Sequence, residues 1–196
     1  MKQLSVLVAC EYSGRVRNAF AARGWNAWSC DLLPSETEGN HYQGNVEDII
    51  CDDFDLMVCH PPCTHLAVSG ARYFAEKRAS GVQQAALDFV RMLLDAPIKY
   101  IALENPVSII STEIKKPTQY IQPWEFGHGE TKKTGLWLKN LPALKPTNIV
   151  EGREAKILAM SPSPDRWKER SRTYQGIADA MAEQWGSYIE LKELNG

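Results

Sequence analysis

Four short apolar runs, each broken off by polar or reactive residues, constrain this chain more than any other feature. They are residues 5–10, 25–30, 54–59 and 99–103. Runs of this length between polar turns read as buried strands. Helical spacing fills two of the gaps. Val16, Ala19, Phe20 and Ala22 recur on one face of residues 15–23, closed by Gly24, and Ala86, Leu87, Val90, Leu93 and Leu94 on one face of 83–94. Strand–helix–strand alternation with right-handed crossovers implies a parallel sheet covered on both faces. The expected fold class is α/β, a doubly wound and mostly parallel sheet, with residues 1–196 forming one domain. Residues 34–42 and most of 64–80 read as loop. Residues 118–126 and 134–138 read as strands, 141–165 as a proline-punctuated irregular traverse, and 173–185 as a last helix closed by Gly186.

In such sheets, ligands collect at the carboxyl ends of the strands. Four strands here end in Glu11–Gly14, Asp31, His60–Cys63 and Glu104–Asn105. No apolar run approaches the roughly 18–20 residues that span a membrane. The N-terminus lacks a signal-peptide pattern. The five cysteines are an odd number without a framework spacing, so they read as reduced thiols in a cytoplasmic protein. Cys10, Cys30, Cys51 and Cys59 close or follow apolar stretches and are expected in the core, whereas Cys63 follows two prolines in a polar loop.

Net charge is −2, and its distribution is uneven. Residues 1–98 carry 8 Lys/Arg against 12 Asp/Glu, and residues 113–172 carry 12 against 7. A polyanion would meet the second half. A solvated mixed surface accounts for the same charges equally well.

The first turn, with Glu11, Ser13 and Gly14, puts backbone N–H groups and a positive helix end near a strand tip. Asp31 stands where doubly wound folds hold a ribose-binding acid, or it caps an ordinary turn. In Pro61-Pro62-Cys63 the prolines fix the backbone, so the thiol is held with little freedom. With His60 and His65 beside it, a lowered pKa and a nucleophilic role are expected for Cys63. Two other readings stand open: a structural buried cysteine, and a metal site of Cys59, His60, Cys63 and His65. Glu104 ends the strand beside the same crevice, where partial burial is expected to raise its pKa and let it donate a proton.

The arrangement resembles the DNA (cytosine-5)-methyltransferase family. Pro61-Pro62-Cys63 is similar to that family's Pro-Cys nucleophile loop, and Glu104-Asn105-Pro106 to its Glu-Asn-Val motif. Ala9 to Phe20 stands at its S-adenosylmethionine loop, Asp31 at its ribose-binding acid, and Gly44-Asn45-Val46 at its Gly-Asp-Ile step. Order and spacing agree over residues 5–106. Beyond them, 130–134 is similar to the Gln-x-Arg-x-Arg motif and 171–186 to the closing motif. The chain departs from the family in four places: Glu11-Tyr12-Ser13-Gly14 in the cofactor loop, Asn45 for an aspartate, and Lys132 and Thr134 for arginines. The stretch between 138 and 171 is too short for a target recognition domain. In this it looks like short versions commonly encoded by bacteriophages.

The resemblance implies a Rossmann-like class I methyltransferase fold. Its catalytic residues would be Cys63 and Glu104. Cofactor-binding residues would be Glu11, Ser13, Gly14, Asp31, Asn45 and Pro61, and substrate-binding residues Pro62, Asn105, Lys132, Lys133 and Arg172. The implied cofactor is S-adenosylmethionine, leaving as S-adenosylhomocysteine, with no metal. The implied partner is duplex or single-stranded DNA, in the cytoplasm of a bacterial host, and no membrane. Four alternatives stay open: amino methylation, C5 modification of a free cytosine nucleotide, transfer of a non-methyl group from a modified cofactor, and cofactor or DNA binding without catalysis.

Overall fold

The computed structural model describes residues 3–156, 160–161, 163 and 166–195. Seven strands form one sheet. They are β1 (Ser5–Ala9), β2 (Asn26–Asp31), β3 (Asn40–Gln43), β4 (Leu56–Cys59), β5 (Tyr100–Pro106), β6 (Gln119–Ile121) and β7 (Thr134–Lys139). Their order is β3-β2-β1-β4-β5-β7-β6. The first five are parallel, while β7 runs antiparallel to both β5 and β6. This is the doubly wound, mostly parallel α/β fold expected, with its helices on both faces.

Every residue of β1 is buried, because the strand is central and covered twice. On one face Val6, Val8, Leu56, Val58, Tyr100 and Ala102 pack with α1 (Arg15–Ala22) and the long terminal helix. On the other, Leu7, Met57, Ile101, Leu103 and Trp137 pack with α3 (Val82–Leu94). The period of two assigns alternate strand residues to the two cores. Apolar area removed from water at roughly 25 cal/mol per Å² makes these two layers the main stabilising term.

Several elements differ from the expectation. Residues 40–43, read as loop, form the edge strand β3; Asn-His-Tyr-Gln carries no apolar signal because an edge strand is half solvated. Residues 68–79, read as mostly loop, form a 3-10 turn (Val68–Tyr73) and α2 (Phe74–Ala79). Neither buries a residue, so neither leaves a periodicity. After α4 (Ile110–Glu113), the strand expected over 118–126 stops at Ile121. Pro123 opens a 3-10 turn there, with a capping box between Gln122 and Glu125. The last two helices are α5 (Arg166–Ser171) and α6 (Gln175–Leu194).

Helix α6 does not end at Gly186 but continues to Leu194. A Cβ at Gly186 would lie 2.9 Å from Nε of Arg23, so this glycine admits a side chain from α1's end rather than stopping a helix. Arg23 then bonds Glu183, Ser187 and Glu190 along α6. Cys51, expected in the core, is exposed. Parts of the expected traverse (157–159, 162, 164–165) lie outside the described residues. Among the described residues, no helix is long and apolar enough to cross a membrane.

Candidate active site

The parallel register builds the site's floor. Ala9 aligns with Cys30 and with Cys59, and Cys59 aligns with Leu103. The next residue of each strand is therefore set in one row: Cys10, Asp31, His60 and Glu104. Val58 aligns with Ala102, so two residues on, His60 and Glu104 emerge side by side on the face that carries α1 and α6. Nδ1 of His60 lies 3.0 Å from Oε2 of Glu104, with both side chains largely buried. Burial raises the Glu104 carboxyl. The His60 hydrogen bond, the Lys132 charge and Thr134 outweigh that and hold it below its ordinary value. The expectation of a raised, proton-bearing Glu104 is thus reversed, because it took no account of these partners.

Cys63 sits on a loop pinned at several points. Asn105 is 1% exposed and donates from Nδ2 to the Pro61 carbonyl across 2.9 Å. The Cys63 carbonyl accepts from the amides of Leu66 and Ala67, and Val68 and Ile109 complete a bridge to the segment after β5. Asn105, read as substrate-binding, is turned inward to hold this loop. The Cys63 thiol is partly buried, and burial pushes it above its ordinary value. The Glu104 charge adds to that shift, while Lys132 and Arg170 oppose it. The expected lowering is therefore absent in the resting site.

The first turn is occupied by its own side chains. The Glu11 carboxylate, 4% exposed, accepts the amides of Val16 at 2.8 Å and Arg17 at 3.1 Å, and Ser13 Oγ donates to it at 3.3 Å. It thereby caps the positive end of α1. Gly14 has φ +71, and a Cβ there would meet Thr37 Oγ1 at 2.1 Å. Arg17, which the sequence did not single out, is 1% exposed and bonds Ser29, Ser35, Thr37 and Glu38, fastening the β2–β3 loop beneath this turn.

Beside the row lies a cavity of about 620 Å³ whose lining includes Asp31, Leu32, Asn45, Val46, Pro62 and Phe89. Asp31 accepts the Leu33 amide at 2.9 Å, and burial raises its carboxyl. Asn45 uses its amide oxygen to cap the Val46–Asp48 turn through the Glu47 amide. An apolar slot with one carboxylate in its lining suits an adenosine, whose ring is flat and apolar and whose ribose presents a diol. A second space of about 40 Å³ is enclosed by Cys10–Ser13, His60 and Ser171–Thr173.

The basic residues diverge. The Lys132 ammonium donates to the Arg170 carbonyl at 2.9 Å, and its charge acts on both Cys63 and Glu104. Lys133 lies over the Tyr120 ring at 4.5 Å. Arg172 is paired with Glu36 and Glu169. Tyr12 donates to the Lys168 carbonyl and meets Ser171 Oγ at 2.8 Å, which docks α5 over the first turn while Trp167 stays half exposed. Of the four suggested metal ligands, Cys59 is buried in the sheet with its thiol toward the Ala102 carbonyl, and His60 is engaged with Glu104. His60 is the residue that the sequence undervalued. Its signal was its position, the first residue past the end of a buried strand.

No family model matches the chain, and no curated protein matches it. Solved structures with a similar chain trace include one provisionally described as a DNA modification methyltransferase encoded within an E. coli prophage. It has 13% identity and a TM-score of 0.48, over 82% of this chain and 56% of that one. Another is the Entamoeba histolytica methyltransferase EhMeth, with 16% identity and a TM-score of 0.49, over 83% of this chain and 61% of that one. The chain thus spans less than two thirds of the length of either.

Proposed function

We propose that this protein transfers a methyl group from S-adenosylmethionine to C5 of cytosine in DNA through a covalent adduct at Cys63. The observation that carries the reading is the joint setting of Cys63 and Glu104. The carboxylate at the adjacent strand tip acts electrostatically on the thiol of a proline-fixed, Asn105-tied loop, and Lys132 bears on both.

Attack of the Cys63 sulfur on C6 forms a C–S bond and pushes electrons toward N3 and C5. The proton given up by the Cys63 thiol would pass through the Glu104 carboxylate to N3, meeting the charge there, and C5 becomes nucleophilic. Both groups respond to charge that develops during attack, so they favour the transition state over the ground state. S-adenosylmethionine, when bound, supplies an electrophilic methyl carbon on a sulfonium sulfur. Asp31 would hold its ribose and Asn45 and Val46 its adenine edge, with Pro61 and Pro62 at the wall toward Cys63. Glu11, Ser13 and Gly14 would shape the space around its amino-acid end. Loss of the C5 proton to solvent then breaks the C–S bond, and N3 returns its proton through Glu104 so that the Cys63 thiol is restored. A base in duplex DNA must first leave the stack, at a cost of a few kcal/mol. Lys132, Lys133 and Arg172 would act on the backbone.

The test uses labelled S-adenosylmethionine with duplex DNA, single-stranded DNA, RNA or dCMP, and Cys63→Ala as control. Label at C5 of cytosine in DNA, absent in the variant, is expected. Transfer that survives Cys63→Ala, or none to any substrate, refutes the reading, and transfer to dCMP alone moves it to a free nucleotide.

A further inference from the structure

We propose that Tyr73, Tyr120 and Trp167 form a stacking platform for unpaired bases, and that the DNA brought to Cys63 is therefore single-stranded. The choice of DNA rests on the cytosine reading above, and the platform adds the form in which that DNA is bound.

Among the described residues, Tyr73, Tyr120 and Trp167 are the Phe, Tyr or Trp side chains left exposed, at 46%, 40% and 52%. Each carries a cation over its ring: Arg72 at 4.6 Å, Lys133 at 4.5 Å and Lys168 at 5.8 Å. Each is also tied to the neighbourhood of Cys63. Tyr73 belongs to residues 68–79, which follow the Cys63 loop, and Lys77 of that segment donates to the Thr64 carbonyl. Tyr120 aligns with Gly135, and Gly135 with Asn105, the residue that holds the Cys63 loop. Its cation, Lys133, neighbours Lys132, whose charge acts on the Cys63 thiol. Trp167, on α5, meets the Tyr12 ring at 6.1 Å, and Arg170 of the same helix also acts on that thiol.

Charge and ring together select the partner. Residues 68–79 hold Arg72, Lys77 and Arg78 against Glu76. Residues 166–172 hold Arg166, Lys168 and Arg170 beside the paired Arg172 and Glu169. Such an excess of cations attracts the phosphates of any nucleic acid. An exposed ring beside a cation adds a contact that an intact duplex does not meet. In a duplex each base face is covered by its neighbours, and unstacking one step costs about a few kcal/mol. In a single strand the faces are free, and each base stacked on a ring contributes about 1–3 kcal/mol. The target cytosine then needs no extrusion from a helix before the Cys63 sulfur reaches C6.

The test measures binding of the full chain to a labelled, cytosine-containing oligonucleotide by fluorescence anisotropy, without S-adenosylmethionine. One sequence is offered as single-stranded DNA, duplex DNA, RNA and a single strand carrying abasic sites. Single-stranded DNA is expected to bind about 10-fold or more tighter than the duplex, and the abasic strand to lose most of that margin. Tyr73→Ala, Tyr120→Ala and Trp167→Ala should each weaken single-strand binding about 5-fold or more, whereas Phe at each position retains it. The rings are exposed, so circular dichroism should find every variant folded. Duplex or RNA bound as tightly as the single-stranded DNA overturns the proposal. Alanine variants that all bind within about twofold of wild type overturn it as well. Methyl transfer is assayed separately. Ring-dependent single-strand binding with no transfer to any substrate removes the cytosine reading and leaves the platform, while transfer with ring-independent binding removes the platform alone.

Discussion

The side-chain amide of Asn105 donates to the carbonyl of Pro61 across 2.9 Å, so the tip of β5 holds the loop that presents Cys63. The two residues are 44 positions apart, and Asn105 is buried. Replacing it by alanine leaves a buried carbonyl unpaired. The expected loss is about 1–3 kcal/mol in urea unfolding, together with a faster reaction of Cys63 with iodoacetamide as the loop loosens. An unchanged unfolding midpoint and alkylation rate would separate the loop from this bond.

Cys63 should react slowly at neutral pH. Burial first, and then the Glu104 charge, raise the thiol, so the thiolate fraction grows only as pH climbs past the ordinary thiol range. Glu104→Gln removes the negative charge that adds to this rise. The midpoint of the alkylation profile should therefore move to lower pH, and a shift upward would contradict the assignment.

Glu104 also carries a stability signature. Its folded-state pKa lies below the ordinary 4.5: burial raises it, but His60, Lys132 and Thr134 outweigh burial. The stabilisation this represents is present above the unfolded pKa and is lost as pH falls through the folded value. Unfolding free energy measured from pH 6 downward should decline below about pH 4.5, and less steeply in Glu104→Gln.

Arg17 and Gly14 form one packing unit. Arg17→Ala would strip the bonds to Ser29, Ser35, Thr37 and Glu38 from a core position and should cost about 3 kcal/mol or more. Gly14→Ala combines positive φ with a 2.1 Å approach to Thr37, and should cost about 1–3 kcal/mol. Chemical denaturation reads both, and proteolysis should cut the β2–β3 loop sooner in each variant.

Asp31→Ala tests the adenosine slot. If its carboxylate holds the ribose diol, S-adenosylhomocysteine affinity measured by calorimetry should weaken about 10-fold or more, as for a lost charged hydrogen bond of about 1.5–3 kcal/mol. Affinity within twofold of wild type would place the ribose elsewhere.

The parts of the site legible in the sequence were those announced locally. Asp31, Cys63 and Glu104 each follow an apolar run that has to be a buried strand, and a parallel sheet gathers such ends on one edge. The elements that escaped notice lack a local signal. The polar edge strand at 40–43 and the helix at 74–79 bury too little apolar surface to impose a period. Gly186 looked like a stop because its actual reason, the side chain of Arg23, comes from another helix.

The sequence by itself determined the α/β class, the run of central strands and the row of reactive residues at their tips. Those follow from hydrophobic period and run length, which are properties of neighbouring residues. Tertiary structure alone decided how the polar groups are paired: Glu11 on the α1 amides, Arg17 in the β2–β3 loop, Asn105 on Pro61 and His60 on Glu104. It thereby reversed the expected pKa directions of both Glu104 and Cys63. Charge state depends on burial and on partners brought within about 3 Å, and strand register, not chain order, selects those partners.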